Sequence, residues 1–497
     1  MWKNFLATLR RWLSKLGLIQ QIKSVSSLSN VMMTDDFYNL IEKWECIYQG
    51  YYPEWHDINV VTISGSKTRR MNSLNLGKIV AEEMARLVFN EKVKIHVSPD
   101  QFANDVRTVF DQNNFYKLFQ DNLEYMFGLG GMVIKVFAVP DPNNEGKYQI
   151  KIGFVQAGCF VPLSYSNSGI DEGLFLNQIA RGNKWYTHLE WHTWSGNEYV
   201  IRNELYESDL SSELGIKVSL ATLFPDLPEE TRISGLSRPL FVYFKPNIAN
   251  NFDTQSPLGI SIFANALDTI HALDRAFDSL VNEFKLGRKR IIVPATAVKA
   301  VVDPQDGTVK RYFDPDDEVY QAFDFETSEN QQIIDNSVEL RIEEHIAGIN
   351  ALLEILAMQI GFSSGSFTFD GKSVKTATEI ISENSKTWRT IASHENLIQV
   401  GIEQLITTIG EVAELYDVFT VPDDYEVRIE FDDSIIVDKD ANSNYYLKFY
   451  HAGLTTKVYT LMQTLGLTEE EAIEMVEARK QEDQTLNPDF EALAQPE

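Results

Sequence analysis

Cysteine is nearly absent from this 497-residue chain: Cys46 and Cys159 are far apart and lack metal-type spacing. That excludes a disulfide framework in practice and fits a reducing compartment. Long apolar runs are missing too, and none approaches the ~18 residues a membrane span needs. MWKNFLATLRRWLSKLG does not read as a signal peptide, because Arg10, Arg11 and Lys15 interrupt any apolar stretch. Its stripe of Phe5, Leu6, Leu9, Trp12, Leu13 and Leu16 reads first as an amphipathic helix packed on its own protein, and second as a surface for a membrane or a partner. Basic charge is in deficit, with 44 Lys and Arg against 72 Asp and Glu, a formal −28. This argues against a surface that grips nucleic acid through its phosphates. It suits solubility, or a surface that must not stick to a polyanion.

The charge is also unevenly placed. No acid precedes Asp35, whereas Glu411 to Glu497 holds 21 acids against 6 bases. Such asymmetry marks either ends that face different partners or two differently solvated termini.

At this length the chain exceeds one compact core and implies two to four domains. Residues 35–125 read as helices, with Leu74, Ile79, Val80, Met84, Leu87 and Val88 on one face and Ser73 as a cap. Further helices follow Asp100 and span Phe115 to Phe127. Between 131 and 245 the period changes to that of strands. MVIKVFAV and YQIKIGFV form a hairpin across PDPNNEG, and GLFLNQIA, KWYTHLEWHTW and NEYVIRNELYE continue antiparallel. The fold class is therefore α+β and multi-domain.

After a linker at 246–257, three helices dominate. The first, 257–287, has an apolar stripe from Phe263 to Phe284 and an outer face of Asp268, Asp274, Asp278 and Glu283. Lys285, Arg288, Lys289 and Arg290 cluster at its end, where cations complement the helix dipole. A β-like insert covers 288–336, with a hairpin turn at Asp306-Gly307. The second helix, 337–360, carries Leu340, Ile342, Ile346, Ile349, Leu353, Leu356 and Ile360 on one face. A glycine-rich loop at 361–373 leads to a helix over 374–416 that Gly401 or Gly410 would bend. A strand at DYEVRIEFDDSIIV, short helices and a tail from Gln484 follow.

Three motifs invite chemistry. GSFTFDGKS approaches a phosphate loop, but the position that needs the first glycine is Ser366, and the loop follows a helix rather than a strand. His188, Glu190 and His192 share one face of a strand and have metal-ligand chemistry, against the plainer reading of a wet strand face. DKDANSN starts like a calcium loop, yet Ser443 stands where glycine is required, so a solvated acidic turn is the better reading. No catalytic residue, cofactor or metal is expected.

PLGISIFANALDTIHALDRAFDSLVNEFKLGRKRIIVP and LRIEEHIAGINALLEILAMQIGFSSGSFTFDGKSVKTATEIISENSKTWRT, in this order around a small β insert, resemble phage portal proteins. More narrowly, they are similar to portals of long-tailed phages and prophages of Gram-positive bacteria. The resemblance implies a non-enzymatic head–tail connector: a ring, usually of twelve subunits, at one capsid vertex, through which double-stranded DNA is packaged and ejected. Implied partners are the major capsid and scaffolding proteins, the terminase large subunit and neck or adaptor proteins, with no membrane. The implied location is the virion, after assembly in the host cytoplasm. Residues 1–256 would be wing, 257–287 and 337–360 stem, 288–336 clip, 361–373 tunnel loop, 374–416 a long wing helix, and 417–497 crown and acidic tail. Ser363, Ser364, Phe367, Phe369, Asp370, Lys372 and Lys375 would line the DNA path. Lys285, Arg288, Lys289 and Arg290 would meet a neighbouring subunit. The competing readings are a nucleotide- or metal-dependent nucleic-acid enzyme using 365–373 or the His188 trio, and an adaptor that forms no ring.

Overall fold

The computed structural model describes residues 35–62, 65–142, 144–166, 169–287, 290–292, 299–302, 309–312, 334–336, 339–368, 377–431, 439–465, 467 and 469–486. The amphipathic N-terminal stripe lies outside them.

Four long helices open the described chain, α1 (Asp35–Tyr48), α2 (Leu76–Val88), α3 (Asp100–Gln112) and α4 (Phe115–Leu129), with one helical turn at Pro53–His56 between the first two. Each buries an apolar face, although Ile79 of α2, expected on it, is exposed. Trp44, Val80, Met84, Phe102, Phe110, Phe115 and Phe119 are all essentially inaccessible. Ser73 does not cap α2. The cap position is Asn75, in the left-handed conformation, while Ser73 Oγ accepts the Asn75 N–H and donates to Asp274.

The strands form two main antiparallel sheets. β4 (Met132–Pro140) and β5 (Tyr148–Gln156) make the expected hairpin, with β12 (Phe241–Phe244) on the other side of β4. The second sheet runs β10 (Ile216–Val218), β9 (Glu198–Ser208), β8 (Lys184–Ser195), β7 (Gly169–Arg181) and β6 (Phe160–Ser166), with β11 (Glu230–Ser234) also on β9. Two smaller pairs stand apart. β1 (Asp57–Thr62) pairs with β2 (Gly65–Arg70), and β3 (Lys94–Ser98) pairs with β17 (Glu426–Glu430), which ties the C-terminal region to the helical start.

Three helices then form the scaffold. α5 covers Leu267–Leu286, α6 Ile342–Gln359 and α7 Ala377–Leu415. α5 begins ten residues later than the pattern suggested, because residues 258–263 run as irregular chain against α4 and lead into a short 3-10 turn at Ala264–Ala266. Ile262 N–H donates to Phe127 O, and Gly259 N–H to the Tyr243 hydroxyl. α5 and α6 pack together in antiparallel sense, since Arg341 and His345, at the start of α6, reach Glu283 near the end of α5. The insert between them begins and ends with β13 (Arg290–Ile292) paired to β16 (Ile334–Asn336). Inside it β14 (Lys299–Val302) pairs with β15 (Val309–Tyr312), and the expected Asp306-Gly307 turn between them lies outside the described residues. The apolar stretch 319–325 lies outside the described residues.

α7 is 39 residues, ~58 Å at 1.5 Å per residue. Its second half is the core's central rod: Ile398, Ile402, Leu405, Ile406, Ile409 and Val412 are buried among α2, β4, β12 and β17. It runs unbroken through Gly401 and Gly410. At Gly401 a side chain would stand 2.3 Å from Phe244, so glycine there serves close packing. Beyond β17, α8 (Lys439–His451), α9 (Lys457–Leu465) and α10 (Glu469–Leu486) form a layer of short helices. DKDANSN is thus mostly helix, neither calcium loop nor turn.

Candidate functional site

The paired helices α5 and α6, with the loop that follows, carry the features that composition cannot explain. At the root of α5 two acids that the sequence places on an outer face are buried: Asp274 is 2% and Asp278 5% exposed. Spaced four apart, they fall on one stripe of the helix. The segment 69–74 lies along that stripe. Arg69 grips Asp278 with both guanidinium nitrogens, at 2.9 and 2.6 Å. The Asn72 backbone N–H and side-chain amide donate to the same carboxylate at 3.1 and 3.0 Å, and Asn282 donates at 3.0 Å. Asp274 accepts from the Leu74 N–H at 2.8 Å and the Ser73 hydroxyl at 3.1 Å, with His56 Nε2 3.1 Å away. The Arg69 bonds hold the Asp278 carboxyl below its usual range. A buried carboxylate is tolerated because its lone pairs are filled. Sequence reading missed this clasp. The one available signal was the pairing of acids at i and i+4 on a helix with a polar Arg-Arg-Met-Asn-Ser segment elsewhere, which spacing alone cannot connect.

Farther along α5 the pattern inverts. Val281 and Phe284, expected in the core, are 38% and 51% exposed, and on α6 Ile355 and Met358 are also exposed. Apolar burial on α5 is confined to Ile270 and Leu273, with Leu267, Ala276 and Leu280 packed at its margin. The helix ends are tied by polar contacts instead: Arg341 donates to Glu283 at 3.2 and 3.0 Å, which keeps the Glu283 carboxyl below its ordinary value. Lys285 is exposed beside them. Arg290 opens β13 opposite Asn336, and Arg288 and Lys289 lie outside the described residues.

The loop after α6 is stapled to α7. Gly361 turns the chain with φ +86°, and its carbonyl accepts from the Thr390 hydroxyl at 2.7 Å. Ser363 is buried: its N–H donates to Thr387 Oγ1 at 2.8 Å, and its own Oγ accepts from the Thr387 N–H at 3.2 Å and the Thr387 hydroxyl at 3.0 Å. Ser366 Oγ closes a turn on Ser363 O at 2.8 Å, and Phe367 packs on buried Phe362 with ring centroids 5.2 Å apart. Lys386 Nζ donates to Met358 O. Ser363 and Phe367 are therefore anchors in this chain, while Ser364 is exposed. Phe369, Asp370, Lys372 and Lys375 lie outside the described residues. The staple sits about three turns inside α7, so the helix extends ~14 Å beyond it.

Of the His188 trio only Glu190 and His192 are brought together, His188 turns to Asn203, and the face is not wet. His188 Nε2 meets Asn203 Oδ1 at 3.0 Å. Glu190 takes Lys135 at 2.6 Å and His192 at 2.8 Å, and His192 Nδ1 meets the Tyr199 hydroxyl at 2.8 Å. Burial lowers both imidazoles. Burial alone would raise Glu190, but the bonds from His192 and Lys135 outweigh it and hold that carboxyl well down. The near-phosphate loop starts from a helix end, as the sequence indicates, and Gly371 to Ser373 lie outside the described residues.

No curated protein matches the chain. Among solved structures, a chain from the "neck of empty GTA particle computed with C6 symmetry" is similar at 12% identity and a TM-score of 0.41, over 79% of this chain and 89% of that one. A family model described as phage portal protein, SPP1 Gp6-like, matches residues 34–486, and the chain therefore belongs to the SPP1 Gp6-like family of phage portal proteins.

Proposed function

We propose that twelve copies of this portal subunit close into a ring at one capsid vertex, a conduit for double-stranded DNA during packaging and ejection. α5 and α6 are the stem, the insert 288–336 is the clip that docks the terminase large subunit and later the neck proteins, and 1–256 is the wing. The crown from about 417 faces the packaged genome, and the capsid and scaffolding proteins meet the outer ring. Assembly takes place in the host cytoplasm. One observation carries this reading most: a helix pair is clasped to its own wing at one end and shows Val281, Phe284, Ile355 and Met358 to solvent along its length. Such apolar surface suits a neighbouring copy, and a closed ring needs that kind of heterologous contact. Lys285, Arg288, Lys289 and Arg290 add charge pairing between neighbours.

The loop 361–373 points its unstapled part into the tunnel, where Lys372 and Lys375 touch DNA briefly while the formal −28 of each chain disfavours sticking. Electron microscopy of the purified chain tests the reading. Rings with an axial hole and about twelve-fold symmetry support it, and a homogeneous 56.7 kDa monomer at every concentration contradicts it. Shortening 364–371 should leave rings intact and impair packaging.

A further inference from the structure

β1 and β2 form a ribbon that pairs with no third strand among the described residues, although its register is complete from Asp57↔Arg70 to Thr62↔Gly65. A lone two-stranded hairpin is marginal in water and needs something to pack on. Its root is secured: Arg69 holds Asp278, Arg70 donates to Gly50 O at 2.9 Å and lies over the Tyr51 ring, and Met71 N–H donates to His56 O. Among the described residues its outer part shows no such support. One face sets Ile58 opposite Arg69 and Val60 opposite Lys67; the other sets Asn59 against Thr68, bonded at 2.9 Å.

Between ribbon and α5 lies an open cleft of about 480 Å³, with Trp55, Ile58, Met71, His271 and Arg275 on its walls, and Asp278, whose carboxylate Arg69 holds, lining it as well. Trp55 stacks on His271 with ring centroids 4.6 Å apart, which makes one wall aromatic. Arg275 is exposed on the α5 wall, and Lys67 is exposed on the ribbon.

We propose that this cleft seats an acidic, partly apolar segment of the neighbouring copy, so that the ribbon is completed only in the ring. The inference rests on the ring reading above. The occupant follows from the chemistry of the walls: aromatic and aliphatic surface beside exposed Arg275, with Lys67 exposed on the adjoining ribbon and the lining Asp278 already paired with Arg69, in a chain that otherwise carries a large excess of acids. A heterologous ring contact requires one patch of the subunit to match a different patch of the next. Because the ribbon root is bonded to Asp278, a tilt of α5 in one subunit moves the surface its neighbour holds, which links the stems around the ring.

A photo-crosslinking benzoylphenylalanine at Val60, in rings verified by microscopy and assembled from isotopically light and heavy subunits, tests this. The expected product is a light–heavy chain pair joined from Val60 to an acid-rich peptide. Rings whose crosslinks run only within one chain, to α5, would overturn the inference and leave the ring reading standing; absence of rings for the unsubstituted chain would overturn both. If the Val60 variant fails to assemble, the same label at exposed Lys67 makes the same test. Arg275→Glu should lower ring yield roughly tenfold at low salt, with partial recovery as salt screens the repulsion. Unchanged yield would contradict an acidic occupant.

Discussion

The two halves of α5 contrast in the opposite sense from their composition. Between Ile270 and Asp278 the helix is held by His56 and the segment 69–74 of its own chain, and the deepest contacts there include two carboxylates. Between Val281 and Phe284 it offers apolar side chains to solvent. Burial thus follows the supply of partners rather than side-chain polarity: Arg69, Asn72, Ser73 and Leu74 N–H bond the acids in fixed geometry, whereas Phe284 is left half exposed among the described residues. A helix that keeps its polar bonds within the subunit and leaves its apolar surface free is organised for assembly.

Removing one side of the clasp should have the largest effect. Asp278→Ala leaves Arg69 and Asn72 without their acceptor and should cost about 3 kcal/mol of unfolding free energy in denaturant titrations of the unassembled chain. The acid limb of stability carries the same signature. The folded Asp278 carboxyl is depressed, so its contribution is complete above the ordinary carboxylate range and is lost as pH falls through the lowered value. Asp278→Asn should flatten that limb.

A second test lies away from the clasp. His394 on α7 is buried, with Asn247 N–H donating to its Nδ1 at 3.0 Å, and burial lowers it from 6.5 to about 4. Between those values the unfolded chain binds the proton and the folded chain does not, so stability rises with pH across the window. The total change is on the order of 3 kcal/mol, and His394→Gln should abolish it, as unfolding measured from pH 4 to 7 will report.

The loop staple should be weaker. Thr387→Val removes the hydroxyl that Ser363 bonds and should cost about 1 kcal/mol, with faster amide exchange at 361–367. The smallest effect on folding is expected at the bare end of α5. Phe284→Ser should change the unassembled chain's stability by less than about 0.5 kcal/mol yet reduce the fraction in rings on sizing columns. A large folding defect at Phe284 would break the contrast between the two halves.

Much of this was legible in the sequence. The periods of α2, α3 and α4, the β4–β5 hairpin, the helix–insert–helix–loop–helix order and the β14–β15 pairing all follow from local patterning, and the order itself carries the family resemblance. Long-range polar pairing was not legible. The Asp278–Arg69 bond joins residues 209 apart in sequence, and His188, Glu190 and His192 looked solvated because their partners Asn203, Lys135 and Tyr199 sit on other strands. The start of α5 was misread because 258–263 has helix-compatible residues but spends its backbone bonds on α4 and Tyr243. Ser363, expected on the DNA path, could be recognised as an anchor only once Thr387 was placed beside it. The same limit applies to Gly401, whose role depends on Phe244 across the core.

A cryo-electron microscopy map of the assembled ring at side-chain resolution tests the central claim most directly. The account predicts that Arg69 and Asp278 remain paired within each chain while Phe284 and Met358 are buried against the adjacent copy. Arg69 paired across the subunit boundary, or Phe284 still facing solvent in a closed ring, would contradict it.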